Sequence, residues 1–437
     1  MQRSHTPGTS IAIVRDDRIV YARGYGFRDL ALHTPVDAST IFRFGSVSKQ
    51  FAAVQTLMLV KAGRLSLSDP VATWYPNLTG AREIRLADIL NQVTGYPDYY
   101  PLDYVDAEMS RPTSPDAIIR EYATQALTAP PRSRWEYSNT NYTLVGRILE
   151  RASGLPLGEL YQRSIFGPLG MTRTFFDEPM RQVADRATGY DSYFSEPPHH
   201  DLVEASGWLN GAAGLAGTAS DLARWDIALM RHTVLDTQQF AEMTHDRTLL
   251  HGRVDTGYGF GVFVYDVNGH RIVYHDGAVI GFGSANTMLP GDGLAVVVLA
   301  NTYEAPVDAL TAAILTIVMP SLTPKAHSRP RTPAPLTALR RQYVHLFRLY
   351  LGQLGNGSMP AAEMSDDFRL FMDARNRTLA GEGFARLGSI QAIDFGGAFH
   401  RGGLHGAYAS VRFRSGTQYA FLYLTPANRI AELLLFP

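Results

Sequence analysis

Two segments far apart in the chain read as strands: TSIAIVRDDRIVYARGYG from Thr9, folded at the turn Asp16-Asp17, and LAVVVLAN from Leu294. Between them the signals are first helical and then extended. A helix is expected from about Ser46, where Val47, Phe51, Val54, Leu57 and Met58 recur at helical spacing and Gly63 follows as a stop. Residues 80–230 are mainly helical, with NYTLVGRILERASG and TASDLARWDIALM as examples, the latter opening on Ser220 and Asp221. Strand patterns return at YGFGVFVYD, HRIVYHDG and GSANTMLP, and VDALTAAILTIVM reads as an apolar helix. Strands at both ends with helices inside imply an α/β (α+β) architecture. One antiparallel sheet is built from both ends of this region, helices pack on it, and a helical insertion lies beside it.

A boundary follows at MPSLTPKAHSRPRTPAPLT, which is rich in proline and basic residues and has little to bury. The expected organisation is a first domain over residues 1–322, a linker over 323–335 and a small α+β domain over 336–437. That last unit opens with a helix, LTALRRQYVHLFRLYLGQL, and closes with strands in AYASVRFRSG, QYAFLYLTP and RIAELLLFP. It resembles an NTF2-like cone, with a lipocalin-like barrel as the alternative. It carries no evident catalytic set, and a role in shaping the cleft or in oligomerisation stays open. No internal repeat occurs at a solenoid period.

Composition removes several function classes. With 437 residues, 45% hydrophobic and 19% charged, the chain can build a large core. A formal net charge of -1 leaves no basic footprint for nucleic acid or an anionic membrane. The absence of cysteine excludes disulfides, thiolate metal sites and a cysteine nucleophile. No apolar run reaches bilayer-spanning length. The first residues, MQRSHTPGTS, lack a signal-peptide pattern, so either the protein is not exported or a leader has been removed.

Three short motifs carry the chemistry. In RFGSVSK, Ser46 and Lys49 are three residues apart at a helix start, so the lysine can reach the serine oxygen. A serine needs such a base, and a helix N-terminus helps to lower the lysine pKa and to hold an oxyanion. Taken alone, the pair also fits the polar first turn of an ordinary helix. In YSN, a Tyr137 with a depressed pKa would pass a proton and Asn139 would hold a substrate amide, although the same residues also fit a helix cap. In HDG, Gly277 lets a substrate backbone lie along the strand that His275 and Asp276 help form, and the Ala278 N–H can pair with that of Ser46 as an oxyanion hole.

Together these motifs resemble the serine β-lactamase and penicillin-binding protein superfamily, whose set is Ser-x-x-Lys, Tyr-x-Asn and Lys/His-x-Gly. The class C β-lactamase-related branch of D,D-peptidases, D-aminopeptidases and esterases is the most similar. LSLSDPVATWYPNL, FGPLGMTRT and GLAGTASDLARW add to the likeness, which covers about residues 6–320. The resemblance implies Ser46 as acylated nucleophile, Lys49 as general base and Tyr137 as proton relay. Asn139, His275, Asp276 and Gly277 would meet the substrate, and the Ser46 and Ala278 amides would hold the oxyanion. It implies no metal or organic cofactor, a small-molecule or short-peptide substrate, compatibility with a homo-oligomer, and a periplasmic or secreted location. The expected activity is hydrolysis of a small ester or amide, including D-amino acid derivatives. D,D-carboxypeptidase or β-lactamase activity, or a non-catalytic sensor on the same fold, are the alternatives.

The chain departs from the pattern at three places. Asp276 stands where relatives often have a threonine or serine that greets a substrate carboxylate. A carboxylate there would disfavour such substrates and favour neutral or amine-bearing ones, unless it pairs with an arginine or with His275. TGYPD, Thr94 to Asp98, has threonine before the glycine and Gln92 upstream where relatives carry a histidine, and it is assigned no chemistry. The chain also begins almost on its first strand, where relatives have a preceding helix, so residues upstream are expected. His199-His200-Asp201 lacks metal-site spacing, GYGFG is no phosphate loop, Ser284 reads as a strand residue, and Arg340-Arg341 reads as a solvated helix face.

Overall fold

The computed structural model describes residues 5–178, 180–195, 197–200, 202–245, 248–249, 256–323 and 338–436. The linker expected at 323–335 therefore lies, apart from Thr323, outside the described residues.

Nine strands form the main sheet: β1 (Gly8–Arg15), β2 (Arg18–Asp29), β3 (Thr34–Pro35), β4 (Thr248–Leu249), β5 (Thr256–Tyr258), β6 (Phe263–Val267), β7 (His270–Val279), β8 (Phe282–Leu289) and β9 (Leu294–Ala300). They lie in the order β3-β2-β1-β9-β8-β7-β6-β5-β4 with antiparallel pairing, so the two ends of the domain meet where β1 pairs with β9. Asp16 and Asp17 both have positive φ, 48° and 60°, which turns β1 into β2 with the twist a two-residue hairpin needs. YGFGVFVYD does not run as one strand. It breaks between β5 and β6, where Gly261 (φ 71°) passes so close to the Lys49 carbonyl that a Cβ would lie 2.6 Å from it.

The pleat of β1 and β9 sorts two cores. Ala12, Val14, Val297 and Leu299 face one, built with α1 (Ser48–Lys61), α2 (Asn139–Ser153) and α3 (Ala219–Met230). Ile11, Val296 and Val298 face the other, covered by α4 (Val307–Val318). Helix α1 is buried on nearly every side and Lys49 is fully enclosed, which makes it the central helix of the helical layer. Helix α3 starts one residue earlier than its acidic signal suggests. Thr218 is the cap, its side chain accepting the Asp221 N–H.

The C-terminal unit comprises α5 (Ala338–Gly355), α6 (Asp366–Phe371) and α7 (Ala374–Leu387), followed by β10 (Ile390–Arg401), β11 (Leu404–Phe413), β12 (Thr417–Leu424) and β13 (Ile430–Phe436) in one antiparallel meander. Helices before an open four-stranded sheet agree with the α+β expectation. The strands do not close into the barrel held as the alternative. Its core takes in Tyr104, Tyr193 and Phe194 of the first domain, so the two units share apolar packing. The Tyr104 hydroxyl donates to the Ala431 carbonyl at 3.0 Å across that boundary.

Candidate active site

Ser46 sits in a single tight turn, Gly45–Val47, that leads into α1. Gly45 (φ 53°) makes this turn possible, and a Cβ there would lie 2.7 Å from the Ala278 amide nitrogen. A Cβ on Gly277 would lie 2.2 Å from the Phe44 carbonyl and 2.9 Å from the Ser46 nitrogen. The two motifs thus approach through backbone alone, which sets the Ser46 and Ala278 N–H groups beside one another. Ser284, on β8, pins the same crossing by donating to the Phe44 carbonyl at 2.7 Å.

Lys49 Nζ lies 3.0 Å from Ser46 Oγ, 2.8 Å from Asn139 Oδ1 and 2.9 Å from the Ala212 carbonyl. The last two atoms can only accept. Asn139 is oriented by its Nδ2, which donates to the Tyr100 carbonyl at 3.3 Å and towards Asp98 Oδ2 at 3.4 Å. A neutral lysine amine has two N–H bonds and one lone pair, so two fixed acceptors leave the lone pair for the serine hydroxyl. Burial favours that neutral form by pushing Lys49 well below its ordinary value. Asp98 pulls it up, Arg401 pushes it down, and Asp276 pulls it up less.

The Tyr137 hydroxyl donates to Ser46 Oγ at 2.8 Å. The expectation of a depressed tyrosine is corrected. Burial raises Tyr137 well above the usual range, and this outweighs the lowering by Ser46 and Arg401. At rest it is a neutral donor. Asn139 is buried, with Oδ1 accepting from Lys49 and Nδ2 turned to Asp98 and Tyr100, so its amide is already engaged in holding Lys49 in place. His275 is buried, and its Nδ1 lies 2.5 Å from the Asp276 carbonyl. A carbonyl only accepts, so Nδ1 carries the proton and Nε2 accepts from Tyr258, whose hydroxyl lies 3.3 Å away. Burial lowers His275 to about 4. Asp276 points into the cleft with half of its side chain exposed. Its carboxylate is 3.9 Å from the neutral His275, and no arginine pairs with it among the described residues.

Sequence reasoning missed two residues. Asp98, in the loop given no chemistry, accepts the Asn139 N–H at 2.9 Å and the Arg401 Nε–H at 2.9 Å. Arg401 comes from the C-terminal sheet. The turn Arg401-Gly402-Gly403-Leu404 was the available signal for a hairpin tip, though nothing in it says where the tip goes. Gln92 replaces the expected histidine and serves as a brace, accepting the Ser138 N–H at 3.1 Å and the Asn141 side-chain amide at 2.6 Å. Of the declined histidines, His200 donates to the Gly189 carbonyl at 3.0 Å, and Asp201 lies outside the described residues.

These side chains open on a cavity of about 630 Å³. Trp135 and Phe263 from the first domain and Phe399, Tyr408 and Phe421 from the second form its apolar walls.

The Beta-lactamase family profile matches residues 1–318. The chain belongs to that family. Among solved structures, the octameric penicillin-binding protein homologue of Pyrococcus abyssi superposes with a TM-score of 0.67 at 20% identity, covering 100% of this chain and 97% of that one. The D-amino acid amidase of Ochrobactrum anthropi superposes with a TM-score of 0.60 at 23% identity, over 68% and 87%. These likenesses establish the β-lactamase fold. The unguisins hydrolase of Aspergillus violaceofuscus is 29% identical over 343 residues, 68% of this chain and 59% of that protein. Protein flp of Staphylococcus aureus is 27% identical over 312 residues, 69% and 61%. The chain thus spans about three fifths of the length of these curated relatives.

Proposed function

We propose that this β-lactamase family member is a serine hydrolase that cleaves a small amide or ester through an acyl-enzyme on Ser46. The observation that carries the reading is the position of Lys49 Nζ, 3.0 Å from Ser46 Oγ with the Asn139 and Ala212 oxygens placed to accept its two N–H bonds, which leaves its lone pair for the serine hydroxyl. Lys49 takes the serine proton as Oγ bonds to the substrate carbonyl carbon. Charge then gathers on the carbonyl oxygen, where the Ser46 and Ala278 amides can receive it. As the bond to the leaving nitrogen or oxygen breaks, the Tyr137 hydroxyl gives that atom its proton and takes one back from the Lys49 ammonium, so that the leaving group departs neutral and both side chains return to their starting forms. The neutral Lys49 then takes a proton from a water whose oxygen bonds to the acyl carbon, and that proton passes to Ser46 Oγ as its bond to the acyl carbon breaks and the acid leaves.

The preferred substrate has a free amine beside the scissile carbonyl and an apolar side group, as in a D-amino acid amide or short peptide. Asp276 supports the amine, since it is a half-exposed carboxylate two residues before Ala278 that no arginine among the described residues pairs with. The aromatic walls suit the apolar group. The likeness to an amidase and to a hydrolase supports hydrolytic chemistry, the amidase pointing to an amide. A fluorophosphonate probe tests the core of this reading. Labelling of the wild-type chain that disappears in Ser46→Ala supports it, and an unlabelled wild type refutes it.

A further inference from the structure

We propose that Arg401, at the tip of the C-terminal hairpin, is a positioning residue of the hydrolase site, holding Lys49 against Ser46 through Asp98 and Asn139. The inference rests on the reading of Ser46 as nucleophile.

The chain reaches this point by backbone design. Gly402 and Gly403 both have positive φ, 57° and 78°, which makes the two-residue turn between β10 and β11. A Cβ on Gly402 would lie 2.9 Å from Pro101 Cβ and 3.0 Å from the Asp98 carbonyl, so the tip lies directly on the loop that carries Asp98. From there Arg401 Nε donates to Asp98 Oδ2 at 2.9 Å and Nη2 donates to the Tyr100 carbonyl at 2.7 Å. Its guanidinium carbon stands 5.4 Å from the centre of the Tyr137 ring. The Asp98 side chain is fully buried and that of Arg401 is about one-fifth exposed (21%).

Each link leads inward. Asp98 Oδ1 takes the Asn139 backbone N–H, and Oδ2 faces the Asn139 side-chain amide. Asn139 Oδ1 takes one Lys49 N–H, and that bond helps to turn the lone pair toward Ser46. Asp98 is a buried anion near the base, and Arg401 is its ion-pair partner. With Arg401 removed, the unpaired carboxylate would draw a proton onto Lys49, and an ammonium has no lone pair to offer. The other groups facing Lys49 are Asp276 and His275 from β7, Tyr137 ahead of α2 and Tyr142 within it. None of them replaces the cation at Asp98.

The test uses the full chain with p-nitrophenyl acetate as probe, comparing wild type, Arg401→Met and Arg401→Lys across pH. Arg401→Met should lose roughly 10- to 100-fold in kcat/KM, mostly in kcat, as expected for a base displaced by a fraction of an ångström. Its acid limb should move to higher pH, because both the lost cation and the freed Asp98 favour protonated Lys49. Arg401→Lys should keep the limb near its wild-type position and recover part of the rate, since it restores the charge but not the two-pronged contact. An Arg401→Met chain with wild-type rate and limb overturns the proposal. So does a rate loss that follows a lower Tm with the limb unmoved, because the arginine would then only dock the domain. Should Arg401→Met fail to fold, Arg401→Lys decides alone: wild-type kcat overturns the proposal, and lowered kcat at unchanged Tm supports it. A wild type that fluorophosphonate does not label fails the hydrolase reading as well, whereas a labelled wild type with an indifferent Arg401→Met fails this inference only.

Discussion

The Asp98 carboxylate accepts the backbone N–H of Asn139 at 2.9 Å, and both residues are buried. The bond fixes the first residue of α2 to the loop that carries Asp98. Asp98→Asn keeps the shape but removes the charge that receives Arg401 and turns one acceptor into a donor facing other donors. Burying such a mismatch costs about 1–3 kcal/mol. Urea unfolding of Asp98→Asn should show that loss, together with a larger fall in kcat than in kcat of a surface control such as Lys61→Gln, whose side chain is 62% exposed.

Gly277→Ala probes the crossing of β7 with the serine turn. The added Cβ would meet the Phe44 carbonyl at 2.2 Å and the Ser46 nitrogen at 2.9 Å, both backbone atoms that cannot turn aside. Relief requires the strand to move away from Ser46, separating the Ser46 and Ala278 amides proposed to hold the oxyanion. The expected cost is about 1–3 kcal/mol of stability, in line with overpacking elsewhere, and a fall of roughly 100-fold or more in kcat, since one misplaced oxyanion donor accounts for that much. An alanine variant with wild-type kcat would refute the assignment of Ser46 and Ala278 as the oxyanion hole.

Much of this arrangement was legible in the sequence because it depends on local patterns. The alternation in β1 and β9, the period of α1 and the three motifs each need only a few neighbouring residues to be read. Lys49 could be placed against Ser46 because one helical turn joins them. Asp98 and Arg401 were not legible, since they lie 303 positions apart and their pairing depends on how the C-terminal sheet docks. The state of Tyr137 was misjudged for a related reason. Its pKa follows from burial contributed by both domains, and no motif records burial. The break between β5 and β6 shows the same limit, because YGFGVFVYD alternates well enough for a strand and only the passage of Lys49 beneath Gly261 explains the turn.

His275 should make the fold sensitive to mild acid. Its folded value is lowered from 6.5 to about 4, so between those values the unfolded chain binds more protons than the folded one. Stability from this group is therefore present above about pH 6.5 and is lost as pH falls toward 4, in total by roughly 3 kcal/mol. Urea midpoints at neutral pH and near pH 4.5 should differ less in His275→Gln than in the wild type. Equal differences would mean that the imidazole is not the buried neutral group described by its bonds to the Asp276 carbonyl and Tyr258.

On the proposed reading, Asp276 selects the substrates. It lies two residues before Ala278, whose amide is proposed to hold the oxyanion, it lines the cavity, and its carboxylate is 3.9 Å from the neutral His275 ring. A substrate ammonium beside the scissile carbonyl would find a carboxylate there, and a substrate carboxylate would be repelled. D-alanine p-nitroanilide should therefore be turned over faster than its N-acetyl form, and Asp276→Thr should erase most of that preference while leaving fluorophosphonate labelling of Ser46 intact. A contribution of about 1.4 kcal/mol from one half-exposed charge corresponds to a tenfold change in the ratio of kcat/KM values. If Asp276→Thr leaves the ratio of free to acetylated substrate unchanged, the amine is recognised elsewhere or not at all. If the wild type prefers the acetylated form, the free-amine substrate class is wrong even though the Ser46 chemistry stands.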